Sequence, residues 1–420
     1  MASIIKSKYT TLFALIVSGE MIFSLPFHLT RYFKPSILEV FSITNAELGD
    51  AFAIYGITAM LSYVPGGILA DKFSTRLLMT CSLIATSLGG ICLLYIPNSF
   101  ELALLYGYWG VTSILFFWAA LIKATRQWGG VFSQGKAFGF LDGGRGLVAA
   151  TFATFSVFAF SYFLPQQDEL IKNTDRIYAL QIVITYYILI TAITALVVWC
   201  LLPKNDGYNQ KKNQKNIFTK PKLKLLFDRN ILLIAITVVC AYCGYKGLDN
   251  ITLYLVQTLD WHEASAASFA AYATYLRPIS AISAGYIADK FDCNKTIRNL
   301  FFVSILVYLL LFFITPNENT VLIIYSNILI TFVLVFALRG IYFALLQNGN
   351  FPQNKTGVII GFISLIGYTP DIFFASITGR ILDNSPGIIG HQNYYLFLTI
   401  ISILGLISSY FLTKNKIFQH

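Results

Sequence analysis

Eight ionisable residues stand inside long apolar runs of this 420-residue chain: Glu20, Asp142, Arg145, Lys246, Asp249, Arg277, Arg339 and Asp371. A charge held in hydrocarbon costs roughly 2.5–3.5 kcal/mol on insertion scales, so each needs a partner or a water-filled cavity. Two chemistries follow. The planar fork of arginine donates two parallel hydrogen bonds to a carboxylate or phosphate. Arg145 and Arg277 lie near the middle of their runs and Arg339 nearer one end, so both halves of the sequence could clamp one anionic group. Lys246, beside Tyr245, would widen the electropositive funnel, and Tyr245, Tyr275, Tyr342 and Tyr368 are expected along the same site. The carboxylates are candidates for proton coupling. Burial and a neighbouring arginine act on a carboxyl group in opposite senses, so an arriving substrate could exchange one influence for the other. Glu20 has no basic neighbour in sequence and Asp371 follows Pro370, which puts these two ahead of Asp142 and Asp249. The competing expectation is internal pairing at i, i+3, Lys246 with Asp249 and Asp142 with Arg145.

The elements that must position these groups are membrane-spanning helices. The chain is 56% hydrophobic and only 12% charged, with a mean hydropathy of +0.66, whereas soluble domains carry roughly 25% charged residues. Apolar runs of about 20 residues recur from end to end, the length that crosses a hydrocarbon core of about 30 Å as a helix. The strict alternation of a membrane β-barrel is missing. Twelve spans are expected, at 9–30, 48–70, 77–96, 102–122, 137–164, 177–202, 230–257, 265–288, 299–315, 320–345, 357–378 and 393–413. The first reads as an uncleaved span rather than a signal peptide, because the run continues to Pro26 with no small-residue cleavage site. An N-terminal six-helix unit (1–202) and a C-terminal one (230–420) flank a basic linker (203–229) carrying eight Lys and Arg residues. With both termini in the cytoplasm, 21 of the 30 basic residues fall on the inner side and 5 in outer loops. That is the orientation of the positive-inside rule, and it reads the formal charge of +10 as topology rather than nucleic-acid binding.

Enzyme chemistry finds no support. HExxH, GxSxG and phosphate-loop patterns are missing, and the four histidines are scattered. Cys240 and Cys243 form a CxxC without a second pair inside a span, where small packing residues are expected. No metal site and no cofactor are expected.

The halves echo each other. Gly67-Ile-Leu-Ala-Asp71-Lys72-Phe73 closes the second span and Gly285-Tyr-Ile-Ala-Asp289-Lys290-Phe291 the eighth; Gly139-Phe140 and Gly361-Phe362 form another echo at nearly the same offset. The segment from Gly67 to Arg76 resembles the signature loop of the major facilitator superfamily, and the second copy falls where that family carries one. Ser74 and Thr75 depart from the usual Gly and Arg, and Asn294 breaks the second copy. The glycine-rich stretches around Gly139–Arg145, Ala337–Tyr342 and Ile366–Asp371 are similar to bacterial permeases of the organic-anion and organophosphate type. The drug-antiporter pattern in the fifth span is not met, since Gly144 stands where proline belongs. The resemblance implies an all-α fold of two six-helix bundles that rock about a central site. It also implies gating roles for Gly67, Asp71, Lys72, Arg76, Gly285, Asp289 and Lys290. Gly67 would permit close helix approach, and Arg126 would pair with Asp71.

The expected function is a secondary active carrier in a bacterial inner membrane. It would take up a small polar solute, anionic if the arginines above are its seat, by proton symport as a functional monomer. An amino-acid carrier is the alternative, with Arg339 or Arg277 on the carboxylate and Asp371 or Glu20 on the ammonium. An exporter or a non-transporting sensor stands further off.

Overall fold

The computed structural model describes residues 2–130, 134–165, 172–204, 228–346 and 356–414. The linker lysines Lys211, Lys212, Lys215, Lys220, Lys222 and Lys224 lie outside the described residues. Helices dominate: α1 (Ala2–Met21), α2 (Leu29–Phe41), α3 (Asn45–Lys72), α4 (Thr75–Gly90), α5 (Ser99–Val111), α6 (Ala119–Gly129), α7 (Gln134–Phe163) and α8 (Asn173–Leu201) come from the first half. The second supplies α9 (Arg229–Gly247), α10 (Ile251–Leu259), α11 (Glu263–Thr274), α12 (Leu276–Phe291), α13 (Cys293–Phe313), α14 (Val321–Ile341), α15 (Thr356–Gly367), α16 (Pro370–Asn384) and α17 (Ile388–Lys414). Among the described residues, ten helical stretches are long and apolar enough to cross a membrane, or eleven with the bent pair α1–α2 taken as one span. The span expected at 265–288 is instead two shorter helices, α11 and α12.

Three of the breaks share one cause. Proline has no N–H to give the carbonyl four residues back, and its ring crowds that carbonyl. Pro26 opens a wider π-turn over Ser24–His28, and the axis bends by 41°. Pro278 stands four residues beyond Thr274, where α11 ends. Pro370 begins α16 after α15 stops at Gly367. Each break sits within a turn or two of an intramembrane charge: Glu20, Arg277 and Asp371. The irregular backbone therefore lies where protein or a cavity surrounds it.

The buried residues of one apolar core come from 231–412, with Leu38 packed against them, and those of another from 14–202, while a third joins residues 25–187 to Ala264–Ala271. The two halves meet at one end. There α3 packs on α16, α2 on α10 and α11, and α7 on α11. Glycines bring α3 and α16 into backbone contact: a Cβ on Gly56 would stand 2.6 Å from the Asp371 carbonyl, and one on Gly49 or Gly379 would meet the Ala375 or Asn45 carbonyl. Polar links then seal this end. Arg31 reaches Asp249 at 2.5 Å, Arg176 reaches Glu263 at 2.8 Å, and Arg380 reaches Asp50 at 2.8 Å. Ser36 donates to Glu263, and Asp383 accepts from the Ala46 N–H at 2.7 Å and the Asn45 side chain at 2.9 Å.

Among the described residues, the opposite end is looser. Gly67, Gly139, Gly143, Gly285 and Gly361 have open space where a Cβ would stand, so Gly67 does not mark the close approach expected of it; Gly49, Gly56 and Gly379 do. Asp71, Lys72, Asp289 and Lys290 are exposed. The expected pair between Asp71 and Arg126 is not formed. Arg76 lays its guanidinium over the Trp199 ring at 4.1 Å, and Lys123 caps α3 by donating to the Ala70 carbonyl at 2.6 Å.

Candidate functional site

The bend at Pro26 swings His28 back toward Glu20, and their side chains meet at 3.1 Å. Glu20 is 2% exposed and sits between two guanidiniums, Arg145 of α7 at 2.9 Å and Arg277 of α12 at 3.3 Å. Arg277 also holds Asp142 at 3.1 Å. The two central arginines therefore close on the chain's own carboxylates across the two halves, Arg145 through Nε and Arg277 through its terminal nitrogens, while the Arg277 Nε is buried without a partner. Arg277, which lacks an acidic neighbour in sequence, has two in space. The expected Asp142–Arg145 pair does not form, because the partners lie on other helices.

A second network lies toward the sealed end. Asp249 binds Arg31 and also Lys246 at 3.6 Å, and Lys246 reaches Asp371 at 3.4 Å. Tyr242 donates to both Asp371 oxygens at 3.1 and 3.2 Å. Arg31 donates to the Tyr245 hydroxyl at 2.9 Å. The Lys246 ammonium also stands 4.3 Å from the Phe27 ring and 4.7 Å from that of Phe52.

Arg339 differs from both groups. Its guanidinium lies 3.8 Å from the Tyr245 ring centroid. One of its terminal nitrogens is buried without a hydrogen-bond partner, and no carboxylate among the described residues pairs with it. The Tyr245 ring is thus shared by two cations, Arg31 on the seal at 4.4 Å and Arg339.

A cavity enclosing about 90 Å³ joins these groups. Glu20, Arg145, Tyr245, Lys246, Arg339, Tyr368 and Asp371 line it. Arg277 stands one contact behind its wall through Glu20, and Asp142, its side chain 41% exposed, lies beyond Arg277. Tyr275 instead meets Thr154 at 3.3 Å, and Tyr342 packs edge-on to Phe343; neither lines the cavity. Asp249 and Lys246 also line a smaller cavity within the seal, enclosing about 20 Å³, with Lys34 and Asn250.

Sequence reading missed Arg31, His28, Tyr242 and Tyr63. Ending the first span at residue 30 left Arg31 outside by one position, although the helix runs on to Phe41. Eleven residues separate Glu20 from Arg31, about three helical turns. That spacing was the available signal.

A family model of the Major Facilitator Superfamily matches residues 16–375. The inner membrane proteins YihN and YqcE of Escherichia coli strain K12 are 27% and 26% identical; the alignments cover 98% and 93% of this chain and 96% and 91% of theirs. Among solved structures, the inward-facing, occupied bacterial homologue of the human lysosomal transporter Spinster superposes with a TM-score of 0.69 at 13% identity, covering 96% of each chain. The nucleoside transporter NupG also gives 0.69 at 13%, covering 98% of this chain and all of that one. The chain belongs to the Major Facilitator Superfamily and is a multi-pass membrane transporter rather than an enzyme.

Proposed function

We propose that this protein is a secondary active carrier that takes up a small organic anion by proton symport, through alternating access of two six-helix halves (1–202 and 230–420). The observation that carries the reading is Arg339, a guanidinium on the cavity wall with no carboxylate partner among the described residues. The residue is half-buried, a position in which a charge without a counter-ion is costly, and an anionic ligand would supply the missing partner through a forked hydrogen bond. Around the cavity, Arg31, Arg145, Lys246 and Arg277 each have a carboxylate in reach. An amino acid would need a carboxylate left over for its ammonium, and Glu20, Asp142, Asp249 and Asp371 are all engaged.

Asp371 is the carboxylate we assign to the proton. It lines the cavity with its side chain 16% exposed, where Glu20 is 3% exposed, and an ammonium and a phenol hold it rather than two guanidiniums. Arg145, Arg277 and Glu20 then form a lock between the halves, and substrate binding would recruit either arginine by displacing Glu20. The basic linker puts the loose end in the cytoplasm and the sealed end outside, in an inner membrane like that of the named relatives.

The test is medium alkalinisation by right-side-out vesicles containing the carrier when organic acids are added. Uptake should bring protons in with the acid, and Arg339→Gln should abolish it. Undiminished uptake by that variant, or a cationic substrate, refutes the reading.

A further inference from the structure

Beneath Arg339 lies a floor of two rings from α9. Tyr242 and Tyr245 are neighbours on one helix face, their rings stacked at 5.9 Å with 22° between the planes. The Arg339 guanidinium sits 3.8 Å from the Tyr245 centroid and 6.0 Å from that of Tyr242. A guanidinium stacked on a ring turns its face to the ring and keeps its N–H edge for a carboxylate or phosphate. The floor therefore orients the anion seat without using its donors.

The two hydroxyls of this floor lead to different places. Tyr242 donates to Asp371, at 3.1 and 3.2 Å, inside the second half. Tyr245 instead accepts from Arg31 at 2.9 Å, and Arg31 belongs to the first half, where it also holds Asp249 in the sealed end. Arg31 lies over the Tyr245 ring as well, at 4.4 Å. One ring thus carries two guanidiniums, one from each half, and touches the seat and the seal together.

The link has a direction. While the end is sealed, Arg31 pins the Tyr245 hydroxyl, the ring is fixed, and Arg339 rests on a fixed floor. When the halves part there, Arg31 withdraws with α2, the hydroxyl loses its donor and the ring is free to turn. A seat already held in its binding geometry costs less to occupy, so an anion on Arg339 favours the sealed state. Linkage makes this reciprocal: whatever the seal adds to anion affinity, the anion adds to the seal. Resting on the anion reading above, we infer that Tyr245 is a positioning residue that couples the two events, so that an anion arriving on Arg339 draws the sealed end shut.

The test reads the seal and the seat separately. In right-side-out vesicles, with the native cysteines replaced, alkylation by a membrane-impermeant maleimide of a single cysteine at Thr30, 3% exposed in the sealed end, reports opening. Calorimetry on the purified full-length carrier reports binding. The probes are benzoate, glucuronate, succinate and glucose 6-phosphate, which sample aryl, sugar, dicarboxylic and phosphorylated acids. A probe that binds the parent and not Arg339→Gln should slow alkylation of the parent by about fivefold or more, the lower end of usual coupling between sites. Tyr245→Phe keeps the ring under Arg339 and removes the acceptor for Arg31. It should still bind the probe while its alkylation no longer responds. Arg31→Lys keeps a cation for Asp249 but lacks the planar fork; it should lose the response too, and it carries the test if Tyr245→Phe does not fold. Tyr242→Phe, whose lost hydroxyl serves Asp371, should keep the response. Steric cover of Thr30 by the probe would persist in Tyr245→Phe, so an equal response there and in the parent overturns the inference. So does Arg339-dependent binding with no effect on alkylation, or loss of binding in Tyr245→Phe; each of these leaves the anion reading standing. No binding by any probe, or binding indifferent to Arg339, overturns both.

Discussion

Adding one methyl group at Gly56 should change which face of the membrane the cavity opens to. Gly56 is on α3 where it crosses α16, and its missing Cβ would lie 2.6 Å from the carbonyl carbon and oxygen of Asp371 and 2.8 Å from the Ile372 nitrogen. All three are backbone atoms, so no rotamer change relieves the clash. Ordinary contact begins at about 3.5 Å, so the helices must separate by about 1 Å. Overpacking of this kind costs about 1–3 kcal/mol, and only the state in which α3 and α16 touch bears it. Gly56→Ala should therefore lower the ratio of sealed to unsealed carrier by about 5- to 150-fold at 1.4 kcal/mol per factor of ten. The readout is alkylation by a membrane-impermeant maleimide of a single cysteine placed at Thr30, which is 3% exposed in the smaller cavity within the seal. The background would have the six native cysteines replaced. Right-side-out vesicles of the Gly56→Ala carrier should label several-fold faster than the parent. Gly67→Ala, where a Cβ meets nothing within 4 Å, should label at the parent rate. Equal labelling of all three carriers would refute the argument that backbone contact at Gly56 holds this end shut.

Asp249→Asn should act on the same equilibrium from the electrostatic side. It strips the carboxylate from Arg31 and weakens the hold on Lys246, and losing one partner of a buried pair costs about 3–5 kcal/mol, so the same cysteine should again become accessible. Glu20→Gln leaves both Arg145 and Arg277 short of their shared carboxylate and should lower the melting temperature of the unliganded protein, measured by tryptophan fluorescence. Arg339→Met should do the reverse and raise it, because it removes a half-buried guanidinium held by the Tyr245 ring rather than by a carboxylate. Asp371→Asn should preserve substrate exchange across the membrane while abolishing accumulation driven by a proton gradient, measured by comparing counterflow with uptake.

Much of the framework is legible in the sequence because it depends on local pattern. Apolar runs of membrane length, the basic linker and the paired Gly-x-x-Ala-Asp-Lys-Phe motifs need only neighbouring residues to be read. The intramembrane charges are equally legible, since hydrocarbon makes each one conspicuous. Their partnerships are not. Of two local pairs expected at i, i+3, Lys246–Asp249 forms and Asp142–Arg145 does not, because Arg277 and Glu20 arrive from helices more than a hundred residues away. Spacing along one helix cannot anticipate a cation brought in by another. The glycines teach a related lesson. Gly67 belongs to a recognisable motif yet faces open space, whereas Gly49 and Gly56, in no motif at all, permit the closest contact between the halves. Arg31 was lost to a boundary, since a helix bent by Pro26 runs further than its apolar stretch suggests.

The central claim is that Arg339 is the seat of an anionic substrate. Its most direct test is calorimetric binding of benzoate, glucuronate, succinate and glucose 6-phosphate to the purified parent carrier and to its Arg339→Gln variant. The account predicts saturable binding of at least one acid to the parent, no detectable binding to Arg339→Gln, and no binding of benzyl alcohol or glucose to either. Equal affinities in parent and variant would contradict it.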